Sequence, residues 1–212
     1  MDSVLQPVEL RVLGALIEKE STTPEYYPMT LNSLVAACNQ KTNRWPVTEY
    51  TDDDVSDGLE ALKMRGYAAS ISGSGRVVKF AQQFTERLNL GRRETAILCV
   101  LMLRGQQTVG EIKGRTERIY AFGDLDETET VLQKMMDRAE GALVQKLPHA
   151  PGTKEPRYAQ TLGGAVDVSA VVNAPVYAGG GLGDRVLTLE SEVSRLREEV
   201  NELRRRLDEV LN

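Results

Sequence analysis

Residues 9–16 read ELRVLGAL, and residues 94–101 read ETAILCVL. Both octapeptides begin with glutamate and carry apolar residues at helical spacing, which is typical of a helix that faces a core. The second begins 85 residues after the first, at position 94 against position 9. The pair therefore predicts that the chain repeats one folding unit.

The same series of elements follows each octapeptide. A threonine, Thr30 or Thr108, precedes a short amphipathic segment, and its hydroxyl is expected to accept a hydrogen bond from a free backbone N–H as a helix N-cap. A longer helix is then predicted at residues 51–65 and again at residues 126–139. Acidic residues fill the first turn of both, where the helix dipole favours negative charge.

A two-strand signal follows each of these longer helices. Strands are predicted at residues 67–71 and 76–80 around a glycine-bearing turn, and again at residues 143–147 and 157–159. Three helices and a β-hairpin form the order of a winged helix-turn-helix module. The repeat therefore predicts a mostly α fold with small β-hairpin wings, in the α+β class; the alternative is a generic α+β domain without winged-helix character.

The composition changes twice after the second hairpin. Residues 163–183 are small and glycine-rich, which is typical of a flexible linker. From residue 184, valine and leucine recur at the 3.5-residue spacing of a coiled coil. The predicted dimerisation residues occupy its a and d positions: Val186, Leu189, Val193, Leu196, Val200, Leu203, Leu207 and Val210. We thus predict two tandem winged-helix modules at residues 1–84 and 85–162, a linker at 163–183 and a coiled-coil helix at 184–212.

The charges beside this heptad seam indicate how two helices pair. In a parallel dimer, each g residue faces the e residue five places further along the partner helix. The three pairs that result are attractive: Arg185 with Glu190, Glu192 with Arg197, and Glu199 with Arg204. We therefore expect a homodimer through a parallel C-terminal coiled coil. The alternative is a tail helix that folds back on its own modules.

Several segments carry an unusual combination of residues. The first copy has LIEKESTTP at residues 16–24, Tyr27-Pro28, Leu31-Asn32, ACNQKTNR at 37–44 and Pro46-Val47; the second has LRGQQT at 103–108, Gly110-Glu111, Pro151-Gly152 and Arg157-Tyr158. Over about residues 5–160, with a similar heptad tail beyond, the chain resembles the YceH family of bacterial proteins without an established activity. The resemblance implies a tandem winged-helix fold and brings no catalytic residues to carry over, because the family has none assigned.

The chain departs from the family pattern at two positions. Val109 stands where the family commonly has proline, and Trp45 stands where it often has a charged residue. Neither difference changes the predicted fold. The tryptophan puts any shared role of the tip of its loop in doubt.

The composition predicts a cytoplasmic protein with no membrane association. No apolar run approaches the roughly 18 residues of a membrane-spanning helix, and the N-terminus lacks the pattern of a secretory signal. Two cysteines, Cys38 and Cys99, are too few for a disulfide framework and suit a reducing compartment. Both lie in apolar-periodic segments, so we expect them to be small buried hydrophobes.

No feature of the sequence predicts catalysis, a metal site or a cofactor. The one histidine, His149, lies in the second wing loop, and the two cysteines lack the spacing of a zinc site. The glycines at residues 179–181 follow no strand and therefore do not match a phosphate-binding loop. We expect a protein that is not an enzyme.

Local charge bears on the choice of partner. The chain has a net charge of −5, and the segments 52–65 and 126–140 each carry five acidic against two basic residues, so phosphates are repelled from both third helices. Residues 92–118 carry six basic against three acidic residues. The candidate nucleic-acid-binding residues therefore lie outside the third helices: Gln40, Lys41, Asn43, Arg44, Arg76, Lys79, Arg104, Lys113, Arg115 and Arg118.

Two functions follow from this charge pattern. The first is a dimeric DNA-associated regulatory protein that binds phosphates through the basic residues. The second is a protein–protein interaction scaffold that uses the acidic third helices and binds no nucleic acid. For the loop before the first of these helices, the alternative is that Asn39, Asn43 and Arg44 pin the loop through hydrogen bonds to the backbone.

Overall fold

The computed structural model describes residues 4–71, 77–148 and 155–164, in which three helices and a hairpin occur twice in succession. The first half contains α1 (Pro7–Thr22), a 3₁₀ turn at Pro24–Tyr26, α2 (Leu31–Cys38), α3 (Asp52–Met64), β1 (Ala68–Ile71) and β2 (Lys79–Gln82). The short helix α4 (Phe84–Arg87) leads to the second half, with α5 (Arg92–Arg104), α6 (Val109–Thr116), α7 (Leu125–Met136), β3 (Val144–Lys146) and β4 (Tyr158–Gln160). The predicted α+β class is confirmed.

Some of the predicted residues lie outside the described ranges. They are Arg76 of the first wing, His149, the linker beyond residue 164 and the whole coiled-coil segment, with its dimerisation residues from Val186 to Val210. The parallel homodimer stays a prediction.

Side-chain caps fix where the helices begin. The Thr30 hydroxyl accepts from the Ser33 backbone N–H at 3.3 Å, and the Thr108 hydroxyl accepts from the Glu111 N–H at 3.2 Å. The Glu111 carboxylate in turn accepts from the Thr108 N–H at 2.9 Å, which completes a capping box. Both predicted N-caps are confirmed, and each such cap stabilises its helix by about 1 kcal/mol.

The two helices that carry the octapeptides lie at the centre of the core. Every residue of α1 from Arg11 to Ile17 and every residue of α5 from Ala96 to Leu103 is buried. A helix buried on all faces must be covered on all sides. Helix α1 packs against α2, α3 and α5, and helix α5 packs against α1, α6, α7 and β4. Apolar residues of both halves therefore form one hydrophobic cluster, and the domain boundary between residues 84 and 85 stays a prediction.

Helices α1 and α5 meet at equivalent positions of the repeat. Gly14 and Cys99 are the sixth residues of their octapeptides, and the Cys99 thiol approaches the Gly14 carbonyl oxygen at 3.5 Å. Contact between equivalent positions is what a two-fold interface between identical subunits produces. A Cβ atom at Gly14 would lie 3.0 Å from two Leu103 side-chain atoms, so glycine is the residue that allows this approach.

Each hairpin is tied to the residues before the second helix of its half. Met29 bridges Phe80 of β2, and Gln107 bridges Tyr158 of β4, each through two backbone hydrogen bonds of 2.7–3.0 Å. In the first half, this bridge and the pairing of Ala68 with Gln82 set the register of β2 against β1. Strand β2 therefore begins at residue 79 and runs past the predicted end at residue 80.

Helix α7 ends earlier than the sequence pattern predicts. The pattern extends the helix to residue 139, whereas the structure ends it at Met136. The Leu143 N–H donates to the Met135 carbonyl oxygen at 3.0 Å, so the chain has turned back toward β3 by that point. Apolar periodicity alone did not show this turn.

The contact at Gly14 predicts opposite effects of two glycine-to-alanine changes. Gly14→Ala should lower the free energy of unfolding by about 1–3 kcal/mol, because the added methyl group meets Leu103. Gly114→Ala is the matched control: a Cβ there has no neighbour within 4 Å, so its better helix propensity should raise stability by about 0.5–1 kcal/mol. Urea denaturation measures both, and equal stability of the two variants would contradict the tight packing of α1 on α5.

Candidate functional site

A buried arginine of α1 holds the loop between α2 and α3. Arg11 is 4% exposed, and its guanidinium donates to the carbonyl oxygens of Cys38 at 2.8 Å and Pro46 at 2.5 Å. It also donates to the Thr48 hydroxyl at 3.0 Å. Burial lowers the pKa of Arg11, and the nearby Arg44 lowers it further. A buried cation therefore donates hydrogen bonds to backbone carbonyl oxygens at the start of the loop and within it.

A second buried arginine comes from the loop itself. Arg44 is 5% exposed and donates to the Ala37 carbonyl oxygen at 3.0 Å. Its two terminal nitrogens bind the Glu18 carboxylate of α1 at 3.1 and 2.5 Å, a bidentate geometry that is strong and directional. The Arg44 guanidinium therefore faces the interior, as the loop-pinning alternative describes, and is not part of the exposed cationic surface.

Asn39 spans the same loop through its side-chain amide. Its carbonyl oxygen accepts from the Tyr50 N–H at 2.8 Å, and its NH₂ group donates to the Tyr50 carbonyl oxygen at 2.7 Å. The backbone at Asn43 has a φ of 61°, a left-handed conformation that asparagine tolerates better than most residues. The loop therefore has a defined shape before any ligand binds.

This loop forms one wall of a polar cleft of about 320 Å³. The cleft is lined by the end of α1 (Glu18, Lys19, Thr22, Thr23), by the loop (Gln40, Lys41, Thr42, Asn43) and by Arg118, which follows α6 in the second half. Four predicted site residues are thereby brought together: Gln40, Lys41, Asn43 and Arg118. We name this feature the α1–loop cleft.

Cations dominate the α1–loop cleft. Its lining includes Lys19, Lys41 and Arg118, against Glu18 as the one carboxylate. Glu18 is neutralised by Arg44 behind it, and Lys19 lies 3.8 Å from the same carboxylate. Within the described ranges, Lys41 and Arg118 make no ion pair. The cleft therefore attracts anions.

The remaining predicted residues lie around the cleft or away from it. Arg104 is half-buried and donates to the Asn43 side-chain oxygen, and burial lowers its pKa, with Arg115 lowering it further. Arg115 itself lies 3.5 Å from the Glu111 carboxylate. Lys113 is half-buried on α6, and Lys79 is exposed on β2 but does not line the cleft.

Five cleft residues were not predicted as site residues: Glu18, Lys19, Thr22, Thr23 and Thr42. The first four belong to the LIEKESTTP segment, which the sequence showed to be unusual without indicating a role. Their position depends on where α1 ends relative to the pinned loop, and only the folded chain shows this.

Helix α6, which precedes the cleft residue Arg118, has two exposed positions without a side chain. Gly110 and Gly114 are exposed, and a Cβ atom at either would meet no atom within 4 Å. Arg118 follows Gly114 at the same four-residue spacing. Another backbone can therefore approach α6 closely next to a cation.

The described residues contain many carboxylates and two cysteines, but no group of three or more histidine, cysteine or acidic side chains in them is placed to hold a metal ion. Cys38 and Cys99 are buried, as expected; burial raises the pKa of Cys38 to about 12 and also raises the pKa of Cys99. No helix in this part of the chain is long and apolar enough to span a bilayer.

The sequence of this chain is similar to those of a family of bacterial proteins. The family described as "Protein of unknown function, DUF480" matches residues 5–153. A UPF0502 protein of Solibacter usitatus is 50% identical over 209 residues, covering 98% of this chain and all of the relative. A UPF0502 protein of Vibrio atlanticus is 44% identical over 218 residues and full length on both sides. One from Geobacter sulfurreducens is 46% identical over 201 residues, or 92% of this chain and 91% of the relative.

The buried ion pair predicts a large effect on stability. Arg44→Gln should lower the free energy of unfolding by about 2–4 kcal/mol, because the Glu18 carboxylate, whose side chain is 18% exposed, loses its bidentate partner. Lys63→Gln breaks the exposed pair of Lys63 with Glu60 and should change stability by less than about 1 kcal/mol. Guanidinium denaturation compares the two variants. Similar losses in both would show that Arg44 does not hold the loop.

The buried thiols predict slow chemical modification. At pH 8 a thiol reagent should leave Cys38 and Cys99 of the folded chain unmodified, because burial keeps them protonated and out of reach. After denaturation, both cysteines should react. Fast reaction of either thiol in the native state, measured by absorbance or mass, would place it at the surface.

Proposed function

The chain belongs to the DUF480 family of proteins of unknown function, as its sequence resemblance indicated, and we propose that it is a cytoplasmic, non-enzymatic, DNA-associated regulatory protein. One observation carries the proposal: Lys41 and Arg118, from opposite halves of the repeat, line one polar cleft without an ion pair among the described residues. Unpaired cations held close together are the main requirement for binding a phosphate backbone.

The surface around these two cations suits a nucleic-acid backbone. Gln40 and Asn43 place side-chain amides beside Lys41, and such amides donate to phosphate oxygens or read base edges. On the other side, the bare glycine positions of α6 let a phosphate strand lie close to the helix, with Lys113 nearby on the same element. In this proposal DNA lies across the mouth of the cleft and along α6.

The third helices take no part in this mode of binding. In α3, Asp52, Asp53, Asp57 and Glu60 are all exposed, so the helix presents negative charge to solvent. A phosphate backbone next to that face would be repelled. The order of three helices and a hairpin in each half supports the tandem winged-helix interpretation, but with the second helices and the loop, not the third helices, at the DNA.

A homodimer through residues 184–212 is part of the proposal. Two linked copies convert the second binding event on one DNA molecule into an intramolecular one, which raises the overall affinity without new contacts. The glycine-rich linker at residues 163–183 would let each copy adjust its position on the duplex.

A different observation favours the scaffold function. Met64, at the end of the acidic helix α3, is 90% exposed. An apolar side chain beside a row of carboxylates suits a basic protein partner that also buries a small apolar contact. In that case α3 is the binding surface and Lys41 and Arg118 have no role in it.

Salt-titrated binding to mixed-sequence DNA tests the proposal. The full-length chain should bind at about 50 mM salt, with affinity falling as salt rises. Lys41→Gln/Arg118→Gln should weaken binding roughly tenfold at about 100 mM salt and reduce the slope of log K against log salt by about two, because two phosphate contacts are lost.

A matched variant controls for net charge. Lys134→Gln/Arg87→Gln removes the same two charges at exposed positions of α7 and α4, far in sequence from the cleft residues, and should bind as the unaltered chain does. Absence of DNA binding at about 50 mM salt would eliminate the DNA function and leave the scaffold. Equal losses of DNA affinity in the two double variants would show that the α1–loop cleft is not part of the binding surface.

A further inference from the structure

The geometry of the α1–loop cleft points to a second ligand class: a small phosphorylated polyol, with one phosphate group and several hydroxyl groups. This inference concerns the interior of the cleft and goes beyond the proposed DNA function, on which it does not depend. It rests on the size of the cleft, its charge, its hydrogen-bonding groups and the rigidity of its walls.

The size of the cleft suits a small molecule. Its volume of about 320 Å³ lies at the lower end of the ~300–1,000 Å³ range of ligand pockets. Three separate segments surround it, and Lys19, Thr22 and Thr23 at its inner wall are only partly exposed. A duplex crossing the mouth would touch Lys41 and Arg118, whereas a small ligand can also reach the inner wall.

The charge of the cleft matches a phosphate monoester. Three cations line it, and the single carboxylate, Glu18, is engaged by the buried guanidinium of Arg44. A phosphate monoester carries about −1.5 to −2 charges at neutral pH. Because Arg44 already neutralises Glu18, Lys19 is available to the phosphate group together with Lys41 and Arg118, which make no ion pair among the described residues.

The neutral groups of the cleft divide into acceptors and donors. The Thr22 hydroxyl donates to the Glu18 carbonyl oxygen at 2.8 Å, and the Thr23 hydroxyl donates to the Lys19 carbonyl oxygen at 3.3 Å. With their protons used, both oxygens remain as acceptors for ligand hydroxyl groups. The Asn43 side-chain oxygen already accepts from Arg104, which leaves its NH₂ group as a donor. Hydroxyl groups, which both donate and accept, satisfy this mixture.

The walls of the cleft are fixed before a ligand arrives. The side chains of Arg11 and Arg44 are buried under the loop and donate hydrogen bonds to backbone carbonyl oxygens there. The side chain of Asn39 is hydrogen-bonded to the backbone of Tyr50 across the loop. A ligand therefore does not have to order the loop, and less of its binding free energy is lost on binding.

Ribose 5-phosphate is a suitable probe, and the chain carries its own reporter. Trp45 is the single tryptophan, 51% exposed and two residues from Asn43, so its fluorescence responds to a charged ligand bound beside the loop. Titration of the full-length chain without DNA, followed by fluorescence and calorimetry, should show saturable binding of ribose 5-phosphate with a Kd below about 1 mM. Inorganic phosphate should bind at least about threefold more weakly, and ribose should show no saturable binding.

Single substitutions separate the two parts of the ligand. Lys19→Gln should weaken binding of both ribose 5-phosphate and inorganic phosphate about tenfold, because a cation of the inner wall is lost. Thr23→Val should weaken ribose 5-phosphate about tenfold and leave inorganic phosphate unchanged. Lys134→Gln, an exposed lysine of α7, is the control and should bind as the unaltered chain does. Circular dichroism and thermal melting confirm that each variant is folded.

Three results would overturn the inference. They are the absence of saturable ribose 5-phosphate binding to the unaltered chain, equal affinity of Lys19→Gln and Lys134→Gln, and equal affinity for ribose 5-phosphate and inorganic phosphate. Since no DNA is present, each result is independent of whether the chain binds DNA.

Discussion

The packing of α1 against α5 is the constraint on which the rest of the described structure depends. Both helices are buried on every face over their central two turns, and nearly all the residues there are apolar, so neither can be stable with one side in water. Helix α1 is covered by α2 and α3 of its own half, helix α5 is covered by α6, α7 and β4 of its own half, and the two helices cover each other. The close approach at Gly14 and Cys99 gives this contact the character of a two-fold interface within one chain.

This packing also determines which charged side chains are buried and which are exposed. Burial of α1 takes Arg11 into the core with it, and Glu18, near its end, binds the buried Arg44. Both guanidinium groups donate hydrogen bonds to backbone carbonyl oxygens, and that of Arg44 also binds a carboxylate. They therefore stabilise the loop and are not exposed to a binding partner. Lys41 and Arg118 are left at the surface on either side of the resulting cleft. A site of positive potential thus arises in a chain with a net charge of −5.

The sequence pattern predicted the structure correctly wherever residues close together in the chain are enough to determine it. Thr30 and Thr108 act as N-caps because the groups they satisfy lie three residues away. Helix α3 lies within its predicted range of residues 51–65 and buries Val55, Leu59 and Leu62 on one face, because the helical period is intrinsic to the backbone. The end of α7 and the start of β2 differ from prediction. The Leu143 N–H binds the Met135 carbonyl oxygen where α7 ends, and Met29, far away in sequence, bridges Phe80 of β2.

The amino-acid sequence by itself determined the repeat, the order of helices and strands, the burial of both cysteines and the membership of the family, since each of these is carried by local pattern or by residue identity. The tertiary structure alone decided which of the polar residues at 39–44 are internal and which are free. Arg44 and Lys41 are both cations of one loop, and only the position of Glu18 on the neighbouring helix separates them. Charge placement depends on contacts between segments far apart in the chain, and no periodicity in the sequence encodes those contacts.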